Sequence, residues 1–225
     1  MNIIAIDTAT TACAIGLATN DTVLTRVLDA ERHHTETLAT GIAALLTECG
    51  LTPRDLDLVV VDYGPGLYTG LRVGVITATS LAQAVGCSLV GVTSLETLAW
   101  GAHDAGVRGE LVCAVDARRG ELFVQDFYLS DDHLATTEPR VATPDDVVAQ
   151  QGDETGTFTF TGDGALRYHD AFAALATAHF FDQSVPSLRA ALRLGATREP
   201  VTSLAPLYLR EADAIANFAT RGRST

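Results

Sequence analysis

Three groups of residues have types and spacings that could do chemistry. The first is Asp7-Thr8-Ala9-Thr10-Thr11, a carboxylate and hydroxyls that follow the apolar run 2–6. A carboxylate at the end of a strand can hold a hydrated magnesium ion, and the amides of the turn behind it can meet phosphate oxygens. Close approach of a backbone to phosphate is easiest with glycine after the carboxylate, and Thr8 stands there instead. Weak nucleotide contact through Asp7, Thr8 and Thr10 therefore competes with a plainer role, in which Asp7 ties down a strand–turn–strand corner. The second group is Gly64-Pro65-Gly66-Leu67-Tyr68-Thr69-Gly70-Leu71-Arg72-Val73-Gly74. Glycines and a proline packed this closely build a turn that delivers the chain into a helix, with Thr69 or Gly70 as its N-cap. Free amides at such a start can bind an anion, although packing is the commoner use of a glycine-rich turn. The third group is His33-His34. Adjacent helical residues point in different directions, so the pair makes no metal site. No G-x-S-x-G elbow is present, and no serine or cysteine is paired with a histidine by a motif.

Composition narrows the rest. The four cysteines are scattered without a C-x-x-C pair and fall inside apolar runs, where a thiol behaves as a small hydrophobe. The net charge is −13, and every basic residue is an arginine. A surface of that sign repels phosphate backbones, so the chain alone is expected to bind nucleic acid poorly. The start of the sequence lacks the basic-then-apolar pattern of a secretory signal, and the apolar stretch 73–92 is broken by Thr79, Ser80, Gln83 and Gly86. A cytoplasmic protein without a membrane span is expected.

The elements that must position these groups follow from periodicity. Residues 2–8, 12–19 and 22–28 read as three strands joined by short turns. Leu38, Ile42, Leu45 and Leu46 form one apolar stripe of a helix over 34–49, which Gly50 closes. LDLVVVD at 56–62 is nearly continuous in apolar residues, as in a parallel strand covered on both faces. A helix over 71–85, a strand over 88–92 and a helix over 94–102 complete the first half. The second half predicts a hairpin of 110–117 and 121–129, a short helix from Pro144, a strand over 158–161, an alanine-rich helix over 165–179 and a helix over 187–194. This order, three strands and then alternating helices and strands, is similar to the α/β unit of the actin-like ATPase superfamily. The predicted fold class is therefore α/β and actin-like, with two βββαβα-type subdomains, the second degenerate. The expected division is 1–105, 106–218 and a mobile tail at 219–225.

The string GPGLYTGLRVG closely resembles the signature shared by the TsaB and TsaD families. AIDTAT at 5–10, Arg32-His33-His34-Thr35-Glu36, Ala114-Val115-Asp116-Ala117-Arg118-Arg119-Gly120-Glu121 and Pro206-Leu207-Tyr208-Leu209-Arg210 resemble TsaB segments in the same order. Few matches fall between 130 and 204. The TsaD relatives carry His-x-Glu-x-His on the helix that follows the strand ending here at Val92. This chain reads Ser94-Leu95-Glu96-Thr97-Leu98, and leucine coordinates nothing.

The resemblance implies a non-catalytic scaffold and activator in the synthesis of threonylcarbamoyladenosine in tRNA, with no cofactor required. It implies TsaD and the ATPase TsaE as partners, and a homodimer when the chain is alone. The helix over 71–85 is apolar on nearly every side, which calls for a neighbour beyond its own sheet. His34, Leu38, Ile42 and Leu45 on the first helix, with Leu71, Val75, Ala78 and Ala82 on the second, are the expected partner-binding residues. The rival within the same fold is a small-molecule kinase or ATPase.

Overall fold

A computed structural model describes residues 1–20, 22–28, 34–131, 134–152 and 156–210, with backbone only for 34–36. The expected tail at 219–225 and His33 lie outside the described residues, as does the side chain of His34.

The first sheet has the order β3-β2-β1-β4-β5. Strands β1 (Ile3–Asp7), β2 (Cys13–Ala18) and β3 (Val23–Leu28) form the expected antiparallel meander. Strand β4 (Leu58–Asp62) runs parallel to β1, and β5 (Ser88–Val92) parallel to β4. Every residue of β1 and β4 is buried, which accounts for their unbroken apolar runs. Helices α1 (His34–Glu48) and α2 (Tyr68–Val85) cover one face of this sheet. Leu38, Ile42, Leu45 and Leu46 of α1 and Val75, Ala78 and Ala82 of α2 interdigitate there with Ile4, Ile6, Ile15, Val59 and Val61.

The second sheet, β11-β10-β6-β7-β8, repeats that plan. Strands β6 (Gly109–Arg118) and β7 (Glu121–Leu129) are antiparallel, and β8 (Leu134–Thr136) and β9 (Arg140–Ala142) extend β7 as β3 extends β2. After α4 (Pro144–Gly152), β10 (Phe158–Thr161) lies parallel to β6, and β11 (Ala178–Phe180) parallel to β10. The architecture is α/β and actin-like, with the topology of one half repeated in the other.

The last helix of each half crosses to the other. Helix α3 (Ser94–Asp104) follows β5, yet it buries Leu95, Leu98, Ala99 and Ala102 against Leu111, Cys113, Val115 and Phe127 of the second sheet. Helix α7 (Leu188–Gly195) follows β11 and covers the open face of the first sheet. There Leu188, Ala191 and Leu192 meet Ile3, Ala5, Val60 and Val90. A boundary at 105/106 therefore falls between α3 and the sheet that α3 covers. The segment 201–210 adds a strap. Val201 donates its N–H to the Leu89 carbonyl at 2.8 Å, Leu207 donates to the Tyr63 carbonyl at 2.7 Å, and Arg210 pairs with Glu121 at 2.6 Å. No helix among the described residues is long and apolar enough to cross a membrane.

Strands β8 and β9 were not expected, and one predicted element differs in kind. The alanine-rich stretch 165–179 is not one helix but α5 (Asp163–Arg167), α6 (His169–Phe172) and the edge strand β11. Tertiary packing overrides the helical propensity of alanine here. Phe172 must reach the core to stack on Phe160, with ring centroids 4.7 Å apart, and residues 178–180 must pair with β10.

Candidate functional site

The carboxylate corner and the glycine turn meet at the ends of β1 and β4. A Cβ on Gly66 would overlap the Ala9 carbonyl, one on Gly70 the Thr8 carbonyl, and one on Gly74 the Thr8 hydroxyl. The glycines let the start of α2 lie directly on the turn between β1 and β2. Thr8 Oγ1 donates to the Gly70 carbonyl at 2.8 Å, and Leu67 donates its N–H to the Ala9 carbonyl at 2.7 Å. That last bond starts the helix a turn early: its N-cap is Leu67, with no side-chain cap, rather than Thr69 or Gly70.

The structure brings Asp7, Thr8 and Thr10 together, all buried. Asp7 Oδ1 accepts from the Ala9 amide at 2.9 Å, and Thr10 Oγ1 accepts from the Ala12 amide at 3.3 Å. These are turn-closing bonds, and the hydroxyl of Thr8 is spent on α2. Burial raises the Asp7 carboxyl to about 7; the Ala9 hydrogen bond opposes this, and the charge of Asp163 adds to it.

Asp62, which sequence reasoning passed over, ends β4 beside Asp7 and is equally buried. Its Oδ1 accepts from the Gly64 amide at 2.8 Å and lies 2.8 Å from Ser94 Oγ. Ser94 and Leu98 hold structural posts: Ser94 knots α3 to the glycine turn, and Leu98 is core. Glu96 pairs with Arg198, whose Nη1 also reaches the Gly91 carbonyl at 3.0 Å. A signal for Asp62 was present, since IIAID and LVVVD are two apolar strands with the same acidic ending.

The second half offers an equivalent corner. Asp116 accepts from the Arg118 amide at 2.9 Å and from the guanidinium groups of Arg118 and Arg167 at 3.1 and 3.2 Å. Asp163 Oδ1 accepts the Asp116 amide at 3.0 Å. Burial raises the Asp163 carboxyl.

Apart from His34, whose side chain lies outside the described residues, the expected partner-binding residues turn inward. Leu38, Ile42, Leu45, Leu71, Val75, Ala78 and Ala82 are all buried within the chain itself. An apolar stripe satisfied by its own sheet has nothing left to bury without opening the core, and the side of the helix pair left exposed is the opposite stripe. On α2 that stripe is Tyr68, Thr69, Arg72 and Ile76, with Ile76 63% exposed. On α1 it is Ala39, Thr40, Ala43 and Ala44. Tyr208 of the strap stacks on Tyr68 at 4.9 Å, and Arg72 lies over the Tyr68 ring at 4.5 Å while its Nε donates to the Tyr208 hydroxyl at 3.2 Å. The spacing of Tyr68, Arg72 and Ile76 at every fourth residue was legible, but the uniformly apolar helix hid which stripe faces out.

Comparison with known proteins decides the family. The model described as TsaD, tRNA N6-adenosine threonylcarbamoyltransferase, matches residues 28–220. The tRNA threonylcarbamoyladenosine biosynthesis protein TsaB of Escherichia coli is 31% identical over 173 residues, covering 76% of this chain and 74% of that protein. The chain belongs to the TsaB family. An uncharacterized protein of Mycobacterium tuberculosis is 33% identical over 215 residues, with 94% of this chain and 93% of that protein covered. YeaZ from Pseudomonas aeruginosa has the same fold, with a TM-score of 0.79 at 24% identity over 92% of this chain and 99% of that one. As a TsaB-family member, the chain takes part in tRNA threonylcarbamoyladenosine biosynthesis.

Proposed function

We propose that this TsaB-family chain is a non-catalytic subunit of the threonylcarbamoyladenosine machinery, which binds and stabilises the transferase TsaD through the outward stripe of α1 and α2. The observation that carries the reading is Ile76. It is a large aliphatic residue 63% exposed in the middle of a five-turn helix, with Val73 half-buried beside it and small residues on the outward stripe of α1. Small residues let a second helix pair approach closely, and a central aliphatic anchor is what such a contact buries. The non-catalytic part of the proposal rests on Ser94 and Leu98, which by the resemblance take the place of the two histidines of the TsaD motif and are engaged in hydrogen bonding and packing. Recruitment of TsaE rests on family resemblance alone.

Size-exclusion chromatography with light scattering tests this, with the chain mixed with TsaD of the same organism at micromolar concentration. A one-to-one complex that Ile76→Glu abolishes, with the circular dichroism of the variant unchanged, supports the reading. Absence of any complex with the wild-type chain sinks it. Val75→Glu is no substitute, because Val75 is core and the change would unfold the chain.

A further inference from the structure

Asp7 and Asp62 raise a question of proton counting. Ile6 and Val61 are in register on adjacent parallel strands, so the two aspartates follow at the same level of the sheet. Each is only 2% exposed. In both, Oδ1 is satisfied by the amide of its own turn, while Oδ2 is buried without a hydrogen-bond partner. Among the described residues no arginine pairs with either. Two bare anions side by side in a dry site are strongly disfavoured.

Ser94 sharpens the count. Its Oγ stands 2.8 Å from Asp62 Oδ1 and 2.8 Å from the Pro65 carbonyl. A hydroxyl has one proton to give and two lone pairs that accept. If Asp62 were ionised, one of these two short contacts would set oxygen lone pair against oxygen lone pair. If Asp62 carries a proton, the chain closes: Asp62 donates to Ser94, and Ser94 donates to Pro65.

We propose that Asp62 is a buried carboxylic acid that remains protonated at neutral pH, and that its proton, passed on through Ser94, locks the Gly64–Gly66 turn from which α2 starts. The surrounding charges favour this. Asp7 on β1 and Glu96 on α3 face Asp62, Asp163 at the start of α5 acts on Asp7, and Arg198, which pairs with Glu96, is held by that carboxylate. Tyr63 and Cys13, the other titratable neighbours, are neutral, and burial pushes both up, Cys13 to about 11. Burial and the Asp7 charge, in that order, hold the Asp62 carboxyl well above the usual range, against the Gly64 and Ser94 hydrogen bonds, which favour its anion.

The sign of the pH dependence follows. A carboxyl whose folded-state value is raised binds its proton in the folded chain after the unfolded chain has lost it. Its effect is most favourable below the ordinary aspartate value of 3.8 and turns against the fold as pH rises above that value.

The test uses the full chain alone, so it stands or falls apart from TsaD binding. Asp62→Asn carries no charge; its amide nitrogen can donate to Ser94 only by giving up the Gly64 amide that Oδ1 accepts, so the variant is read by the slope of Tm against pH and not by its level. The expected result is a decline of Tm between pH 5 and 8 that is flatter by about 3 °C than in wild type. A Tm below wild type by the same margin at both pH values overturns the proposal. The 13Cγ shift of Asp62 in the wild-type chain decides independently of any variant: a neutral acid at pH 7 supports the lock, and an anion refutes it. Addition of magnesium is the remaining arm. A rise in wild-type Tm that Asp62→Asn abolishes would make the pair a cation site and defeat the proposal, whereas no rise leaves the proton as the occupant.

Discussion

Asp7 and Asp116 stand at the same corner of two copies of one topology, at the end of the strand that begins each half, yet their surroundings are opposite. Asp116, itself buried, accepts an amide and two half-exposed guanidinium groups, and its hairpin reaches solvent at Arg118 and Arg119. Asp7 lies under the start of α2, accepts one amide and leaves its second oxygen bare. The repeat conserves the backbone course and not the electrostatics. One half neutralises its carboxylate with arginine. The other has filled the space in front of its carboxylate with Thr8, Ala9 and a glycine-lined helix, and no arginine among the described residues pairs with it.

The largest effect separating the two corners lies in the glycines. Gly70 meets the backbone carbonyl of Thr8, which cannot move without displacing β1. A Cβ on Gly164, in the matching first turn of α5, would meet the flexible tip of Leu122 at 2.6 Å and backbone atoms of Ala114 and Val115 only at 2.9 Å, against 2.0 Å for Gly70. Gly70→Ala is therefore expected to cost roughly 3 kcal/mol or more, and Gly164→Ala about 1–2 kcal/mol, measured by urea unfolding. Equal costs would mean that the first corner is no more tightly closed than the second.

Next come the carboxylates themselves. Asp116→Asn leaves Arg118 and Arg167 facing an amide. The guanidinium groups are about half-exposed, so solvent screens the loss, and about 1 kcal/mol of destabilisation is expected at pH 8. Asp7→Asn keeps an acceptor for the Ala9 amide and removes a carboxyl whose folded-state value is near 7 against a reference of 3.8. Wild type loses stability through this group as pH rises from about 4 to 7. The variant should match wild type near pH 4 and exceed it at pH 8. Thermal melts across that range check both variants, and two changes of the same sign at pH 8 would erase the contrast.

Much of this was readable from the chain. The first sheet followed from the apolar runs at 2–8, 12–19 and 56–62, because strands buried on both faces leave a continuous signal. Asp7 was found because a carboxylate ending an apolar strand stands out, and its partner Asp62 could have been found by the same rule. What sequence could not supply was orientation. In α2 nearly every position is apolar or small, so Leu71, Val75, Ala78 and Ala82 could be named as a stripe, but nothing in their type said that the stripe faces its own sheet. Residues 165–179 failed for a related reason: alanine is favourable in a helix anywhere, and only the burial of Phe172 and the pairing of 178–180 with β10 break it.

The smallest prediction concerns the exposed corner. Arg118 and Arg119 both adopt left-handed backbone, at φ 67° and 57°, and Gly120 follows at φ 83°. Arg118 marks an irregularity in the β6–β7 register, and its side chain answers to Asp116. Arg119 and Gly120 are the two central residues of the turn between the paired Arg118 and Glu121. With positive φ at both, this is the type I′ geometry for which Asn-Gly is the preferred pair. A long side chain in that conformation carries a local cost that asparagine largely avoids. Arg119→Asn should therefore stabilise the chain by roughly 0.5 kcal/mol in urea unfolding. If the variant is instead weaker, the contacts of the Arg119 side chain outweigh the backbone cost, and the second corner is held by its arginines on the outside as firmly as the first is held by its glycines within.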